Sequence, residues 1–202
     1  MIAVIDYGAG NLRNVCKSLA FVGGDIVLTD QPDEIERADK VVLPGVGAFA
    51  DCFHGLQTRD LIEPLMDFAH SGRPFLGICV GMQLLFDAGH EMGEWPGLGL
   101  IPGKVVKFDF GKKLKIPHIG WNQVTGCQPC HPVLNNVTKD GYAYFVHSYH
   151  AQVPDSRHII AITNYGYDFP SVVANDNVWG IQFHPEKSQD VGLQMLKNFV
   201  AL

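Results

Sequence analysis

The chain has 202 residues, 47% of them hydrophobic, with 21 acidic against 15 basic side chains and a formal net charge of −6. That apolar content suffices for one domain with a full core, expected over residues 1–202, and the acidic balance argues against a nucleic-acid binder. The longest apolar runs are too short to span a bilayer, and five cysteines, an odd count, argue against a disulfide framework.

The N-terminus, Met1 to Ile5, reads as a first strand and not as a signal peptide, so the default expectation is a soluble cytoplasmic protein. Gly8 and Gly10 form a loop after it. Leu12, Val15, Leu19 and Val22 follow at near-helical spacing, and Gly23-Gly24 ends that helix. Ile26 to Leu28 is a second strand, Pro32 to Arg37 a short helix with proline in its first turn, and Lys40 to Leu43 a third strand. Pro44-Gly45-Val46-Gly47 leads into helical stretches near Phe49 to Gln57 and Asp60 to His70. A strand at Pro74 to Leu76 then enters Gly77-Ile78-Cys79-Val80-Gly81 and a helical run, Met82 to Phe86. Alternating strands and helices predict a parallel sheet with helices on both faces, its ligand site at the carboxyl ends of the strands. The Gly8–Gly10 loop does not match a dinucleotide fingerprint, because Arg13 stands where the third glycine belongs, and no phosphate-binding G-K-[ST] occurs.

Beyond Gly99 the pattern changes. Val105 to Phe108, Ile119 to Val124, Tyr142 to His147, Ala151 to Val153, His158 to Thr163, Val172-Val173 and Val178 to Phe183 read as strands without intervening helices, so hairpins are expected. Gln189 to Leu202 closes the chain as a helix. The second half is thus a β-rich extension of the same domain, whose central sheet is expected to be mixed and mostly parallel. Lys112, Lys113 and Lys115 form a local basic cluster, either a solvated turn or a patch for a partner or anion.

Gly-x-Cys-x-Gly between a strand and a helix has the shape of a nucleophile elbow with cysteine in place of serine. The glycines leave room where the backbone is tight, and a thiol at the first turn of a helix sits near the positive end of its dipole, which favours thiolate. Catalytic thiol and buried structural cysteine are both open on this stretch alone. A nucleophilic cysteine needs a base, and the base an orienting group. Among nine histidines, His184 stands out: it ends a strand, Pro185 stiffens the turn, and Glu186 follows. His147 ends another strand. No His, Cys, Asp or Glu spacing resembles a closed metal site. Cys127-Gln128-Pro129-Cys130-His131 matches a haem-attachment pattern in a chain with no export signal and reads as coincidence; a transient Cys127–Cys130 disulfide is the other reading.

Gly77-Ile78-Cys79-x-Gly81-Met82-Gln83 together with Gln182-Phe183-His184-Pro185-Glu186 resembles the class I, triad-type glutamine amidotransferases. Stretches at Asp6 to Leu12, Pro44 to Phe49, His118 to Asn122, Tyr144 to Tyr149 and His184 to Ser188 are similar to the glutaminase subunits of imidazole glycerol phosphate synthases. The resemblance spans nearly the whole chain and implies a three-layer, flavodoxin-like α/β fold. It implies Cys79 as nucleophile, His184 as general base and acid, and Glu186 as its orienting group. Gln83 and Glu91, the latter placed by spacing alone, would contact glutamine, with backbone from His147, Ser148 and Tyr149 lining the pocket. Amides near Val46 or Gly47, with Val80, would form the oxyanion hole. No cofactor is implied. Ammonia would pass to a (β/α)8-barrel cyclase partner, with Asn11, Trp121, Tyr144 and Lys187 at or near the interface. Rival readings are a paralogous subunit serving another acceptor pathway, a stand-alone cysteine hydrolase of γ-glutamyl compounds, and a non-catalytic binding subunit.

Overall fold

A computed structural model describes residues 1–111 and 114–202, so Lys112 and Lys113 of the basic cluster lie outside the described residues. The first half alternates as expected: β1 (Ile2–Ile5), α1 (Leu12–Phe21), β2 (Ile26–Thr29), α2 (Pro32–Arg37), β3 (Lys40–Gly45), α3 (Phe49–Gln57), α4 (Ile62–His70) and β4 (Phe75–Cys79). Each strand is a short apolar run. β1 and β4 are buried along their whole length, as strands covered on both faces must be.

The remaining elements are α5 (Val80–Gln83), β5 (Phe86–Gly89), β6 (Trp95–Pro96), β7 (Ile101–Lys107), β8 (His118–Gln123), β9 (Thr125–Gly126), β10 (Tyr142–His147), β11 (Tyr149–Gln152), β12 (Ile159–Asn164), β13 (Asp168–Asn175), β14 (Val178–Ile181) and α6 (Gln189–Val200). An eight-stranded sheet has the order β2-β1-β3-β4-β14-β13-β12-β9. Its pairings are parallel from β2 through β14 and antiparallel from β14 to β9. The chain moves one way from β1 to β2 and the other from β2 through β3 to β4. Right-handed crossovers then place α1 on one face and α2, α3 and α4 on the other. In keeping with this, α1 packs with α6 and α2 with α4.

The second half departs from the expected hairpins. Among the described residues beyond Gly99, only β12, β13 and β14 pair with their chain neighbours. β8 pairs with β10 as a two-stranded ribbon, while β11 returns to β7 in a separate sheet, β11-β7-β5-β6. The chain changes sheet at Ser148, so the one residue between β10 and β11 is held by two different sheets. β13 is also longer than expected. Pro170 lies within it, beyond the Val172–Asn175 segment that β14 pairs, where a missing N–H costs that ladder nothing.

The helical run expected at Met82 to Phe86 is corrected: α5 ends at Gln83 and Phe86 opens a strand. Leu84, Leu85 and Phe86 direct their carbonyls to the amides of Leu98, Leu100 and Gly99, so this apolar run is a buried turn and strand edge. Continuous apolar sequence does not distinguish these cases. With only four residues, α5 offers its local N–H groups and little macrodipole at Cys79.

Three glycines set the elbow. A Cβ on Gly81 would sit 1.9 Å from the Leu43 carbonyl oxygen, and one on Gly77 would sit 2.6 Å from the Gly81 oxygen. On Gly45 it would approach the Gly81 nitrogen to 2.6 Å. The ends of β3 and β4 and the start of α5 thus touch backbone to backbone. Among the described residues, no helix is long and apolar enough to cross a membrane. Gly81→Ala is expected to destabilise the chain by about 3 kcal/mol or more. Gly72→Ala, at φ +79 with open space around it, is expected to cost only about 1 kcal/mol. Urea unfolding followed by circular dichroism checks both, and equal losses would contradict a steric origin.

Candidate active site

The parallel register aligns Gly45 with Cys79 and Ile78 with Ile181, so the loops after β3, β4 and β14 open on one edge of the sheet. There a cleft of about 310 Å³ is lined by Val46, Gly47, Cys79, Val80, Gln83, Glu91, His147, Ser148, Tyr149 and His184, all expected site residues, and by Pro117 and Val146. Glu186, the remaining member of the expected triad, lies behind His184.

Cys79 ends β4 at φ 56 and ψ −112, a region that L residues avoid. Such backbone persists only where its surroundings over-determine it, at about 1–3 kcal/mol of strain. Here the glycine contacts do so, and the turn lifts the side chain off the sheet into the cleft. Val80 is the first residue of α5, so its N–H has no acceptor within the helix. Gly47 adopts φ +107 on the opposite rim, where an added Cβ would meet nothing within 4 Å.

His184 is 2% exposed, and its Nδ1 lies 2.9 Å from Glu186 Oε1. The carboxylate accepts, so Nδ1 carries the hydrogen. Among the described residues Nε2 has no hydrogen-bond partner, and it is turned toward Cys79. Burial alone would lower the His184 pKa. Cys79 and Glu186 outweigh it and raise the value to about 10. Burial pushes the Glu186 carboxyl up, yet His184 and Asn11 together hold it below the ordinary value. The Asn11 amide donates to the same Glu186 oxygen at 3.1 Å. The family resemblance implies a place for Asn11 at or near a partner interface. Its hold on Glu186 has no local sequence signal, because 175 residues separate the pair.

Around the cleft, Gln83 donates both amide hydrogens, to the Tyr149 carbonyl and to Gln182 Oε1, each at 3.1 Å. Only its carbonyl oxygen is left for a ligand. Glu91 accepts the Phe49 N–H at 2.7 Å and so caps α3 while lining the cleft. His147, which lines the cleft, donates from Nδ1 to the Tyr149 carbonyl at 2.8 Å. Beside the cleft, the β8–β10 ribbon exposes Ile119, Trp121, Tyr142 and Val146. Trp121 meets Tyr144 edge-on at 6.0 Å, and Lys187 Nζ stands 5.8 Å over the Tyr144 ring. Cys127 and Cys130 are exposed free thiols, and His131 accepts the Val133 N–H and packs edge-on against Trp179. Among the described residues, no group of three or more His, Cys, Asp or Glu side chains could hold a metal ion.

The profile of the family "Glutamine amidotransferase class-I" matches residues 3–202. The imidazole glycerol phosphate synthase subunit HisH of Desulfitobacterium hafniense (strain DSM 10664 / DCB-2) is 49% identical over 199 residues, 98% of this chain and 93% of that protein. The subunit of the same name from Sulfurimonas denitrificans is 50% identical over 202 residues, covering 98% and 97%. A crystal structure of a glutamine amidotransferase superposes over the full length of both chains with TM-score 0.77 at 16% identity, a likeness of fold.

Because its folded pKa lies above the ordinary value, protonated His184 stabilises the fold fully below pH 6.5, and that contribution disappears as pH rises through about 10. Glu186, shifted down, contributes above its ordinary value and loses its share as pH falls through its folded one. Glu186→Gln is therefore expected to bring the His184 pKa down from about 10 and to flatten the stability loss on the alkaline side. An NMR titration of the imidazole paired with urea unfolding across that range tests it. An unmoved His184 titration would mean that Glu186 does not hold the proton.

Proposed function

The chain belongs to the class I glutamine amidotransferases, and on that premise we propose that residues 1–202 form the glutaminase subunit of an imidazole glycerol phosphate synthase. What carries the reading is the buried His184–Glu186 pair set behind Cys79 at a strained turn, in a chain about half identical to subunits of that name over almost its full length.

In this reading Cys79 gives its proton to His184 and attacks the γ-carbonyl of glutamine as thiolate. The Val80 amide, with an amide at Val46 or Gly47, stabilises the tetrahedral oxyanion. His184 returns the proton to the departing ammonia, leaving a thioester at Cys79. Water activated by His184 then releases glutamate. Glu186 holds the imidazole in the tautomer that presents Nε2 to sulfur, and Asn11 holds Glu186. Gln83 has only an acceptor to offer, so it suits a donor group of the substrate, such as its ammonium. Glu91, with one carboxylate oxygen already on the Phe49 amide, offers its other oxygen to the same charge.

The ammonia would pass to a (β/α)8-barrel cyclase subunit. That partner would use it on a phosphoribosyl-formimino carboxamide ribonucleotide to make imidazole glycerol phosphate and an aminoimidazole carboxamide ribonucleotide, in histidine biosynthesis. The apolar face of β8–β10 beside the cleft supports a docking role: Trp121 and Tyr144 are large aromatics of the type that dominates interface energetics, with Lys187 beside them. An unpartnered glutaminase would waste glutamine. Slow hydrolysis is therefore expected in isolation, rising when the cyclase and its ligand are added; full activity of the chain alone would refute the coupling. Trp121→Ala is expected to weaken cyclase binding by about 30-fold, the factor for a hot spot of about 2 kcal/mol, measured by isothermal titration calorimetry.

A further inference from the structure

A second group of buried histidines lies on the inner face of the docking ribbon, beside the glutamine pocket. His118 and His147 are cross-strand partners at the end of the β8–β10 pair, and both face inward. Their ring nitrogens approach to 3.1 Å, between His118 Nδ1 and His147 Nε2. His118 is stacked between Tyr165, at 4.1 Å, and Phe145, at 4.9 Å, so its ring plane is fixed.

The direction of every bond here is forced. The Tyr149 carbonyl can only accept, so His147 carries its hydrogen on Nδ1. Burial keeps His147 neutral, with a pKa lowered to about 3, which leaves Nε2 as a bare acceptor. His118 must then donate from Nδ1. Burial lowers its pKa also, to about 4, so its Nε2 accepts in turn. The donor to it is the Asn122 amide at 3.2 Å, whose other hydrogen goes to the Asn164 carbonyl at 2.8 Å. Gln123 N–H donates to Asn122 Oδ1 at 2.8 Å, which fixes the amide's orientation.

Building on the functional reading above, we propose that His118 is a positioning residue for glutamine. Through Asn122 and His147 it links the backbone of the docking ribbon to the Tyr149 carbonyl, and so to the orientation of the Gln83 amide. Tyr149 oxygen takes one hydrogen from His147 and one from Gln83, which fills both lone pairs. Gln83 presents its oxygen to the cleft while its nitrogen is held by the Tyr149 carbonyl and by Gln182 Oε1. The strands that carry Asn122, His118 and His147 on their inner face carry Trp121, Ile119, Tyr144 and Val146 on the outer one. A shift of the ribbon on docking therefore moves the inner chain as well, because both faces share one backbone.

The test is glutaminase kinetics of the complex of this chain with the barrel cyclase and its ligand. His118→Phe keeps the aromatic stack and removes the donor. KM for glutamine is expected to rise about tenfold, more than kcat falls, the scale for a buried acceptor left unpaired. His118→Asn places an amide N–H near the lost Nδ1 and is expected to bring KM back within about threefold. A wild-type KM in a folded His118→Phe complex overturns the proposal, and so does a folded His118→Asn that fails to rescue. Nitrogen-15 NMR of the unsubstituted chain gives an independent check should the phenylalanine variant not fold. Both rings are expected as neutral Nδ1–H tautomers, and an Nε2–H form of either overturns the chain of bonds. A wild-type complex that hydrolyses no glutamine instead refutes the functional reading itself, even where the tautomers are as expected.

Discussion

The site depends on the close approach of three backbone segments: the end of β3, the end of β4 and the first turn of α5. Glycine at 45, 77 and 81 allows carbonyls and amides to meet where any Cβ would collide. That approach forces Cys79 into its strained φ and ψ, and the strain is balanced by the packing of a sheet buried on both faces. The same contact sets the Val46–Gly47 rim opposite the Val80 amide. Candidate nucleophile and candidate oxyanion donors are thus fixed by one constraint, at the carboxyl edge where parallel strands bring their loops together.

His184 and Glu186 meet a different demand. A buried ion pair is a weak source of stability, because desolvation of two charges opposes their attraction. Its chemical value is clearer. Glu186 accepts the hydrogen bond from Nδ1 and leaves Nε2 on the side of Cys79, as the proposed proton exchange with sulfur requires. Asn11 is supplied by the loop after β1, with β3 and β4 standing between that strand and β14 in the sheet. The His184–Glu186 pair, the proposed base and its orienting group, is therefore held by both the first loop and the last strand of the parallel region.

The β8–β10 ribbon has two characters because side chains alternate along a strand. One face is histidine and phenylalanine under the mixed sheet; the other is tryptophan, tyrosine, isoleucine and valine open to water. The inner histidines are uncharged, so they form a directed hydrogen-bond chain and not an ionic cluster. The change of sheet at Ser148 lets this ribbon, and not the eight-stranded sheet, form one wall of the cleft.

The residues themselves determined most of the first half, since its helices and strands follow from local periodicity, and Phe49–Gln57 and Pro32–Arg37 fall where the pattern puts them. They also marked Cys79 and His184 as candidate site residues, because glycines around a cysteine and a proline after a histidine leave marks within a few residues. Tertiary structure alone decided three things. The apolar run after Gln83 became a turn and strand edge because Leu98 to Leu100 supplied its hydrogen-bond partners. β8 joined β10 across a long connection. Asn11, Asn122 and Tyr149 acquired roles from partners far away in sequence. Spacing records which side chains share a face of one element; it carries no record of which distant carbonyl or ring will stand opposite, because that is settled only when the sheets close on a common core.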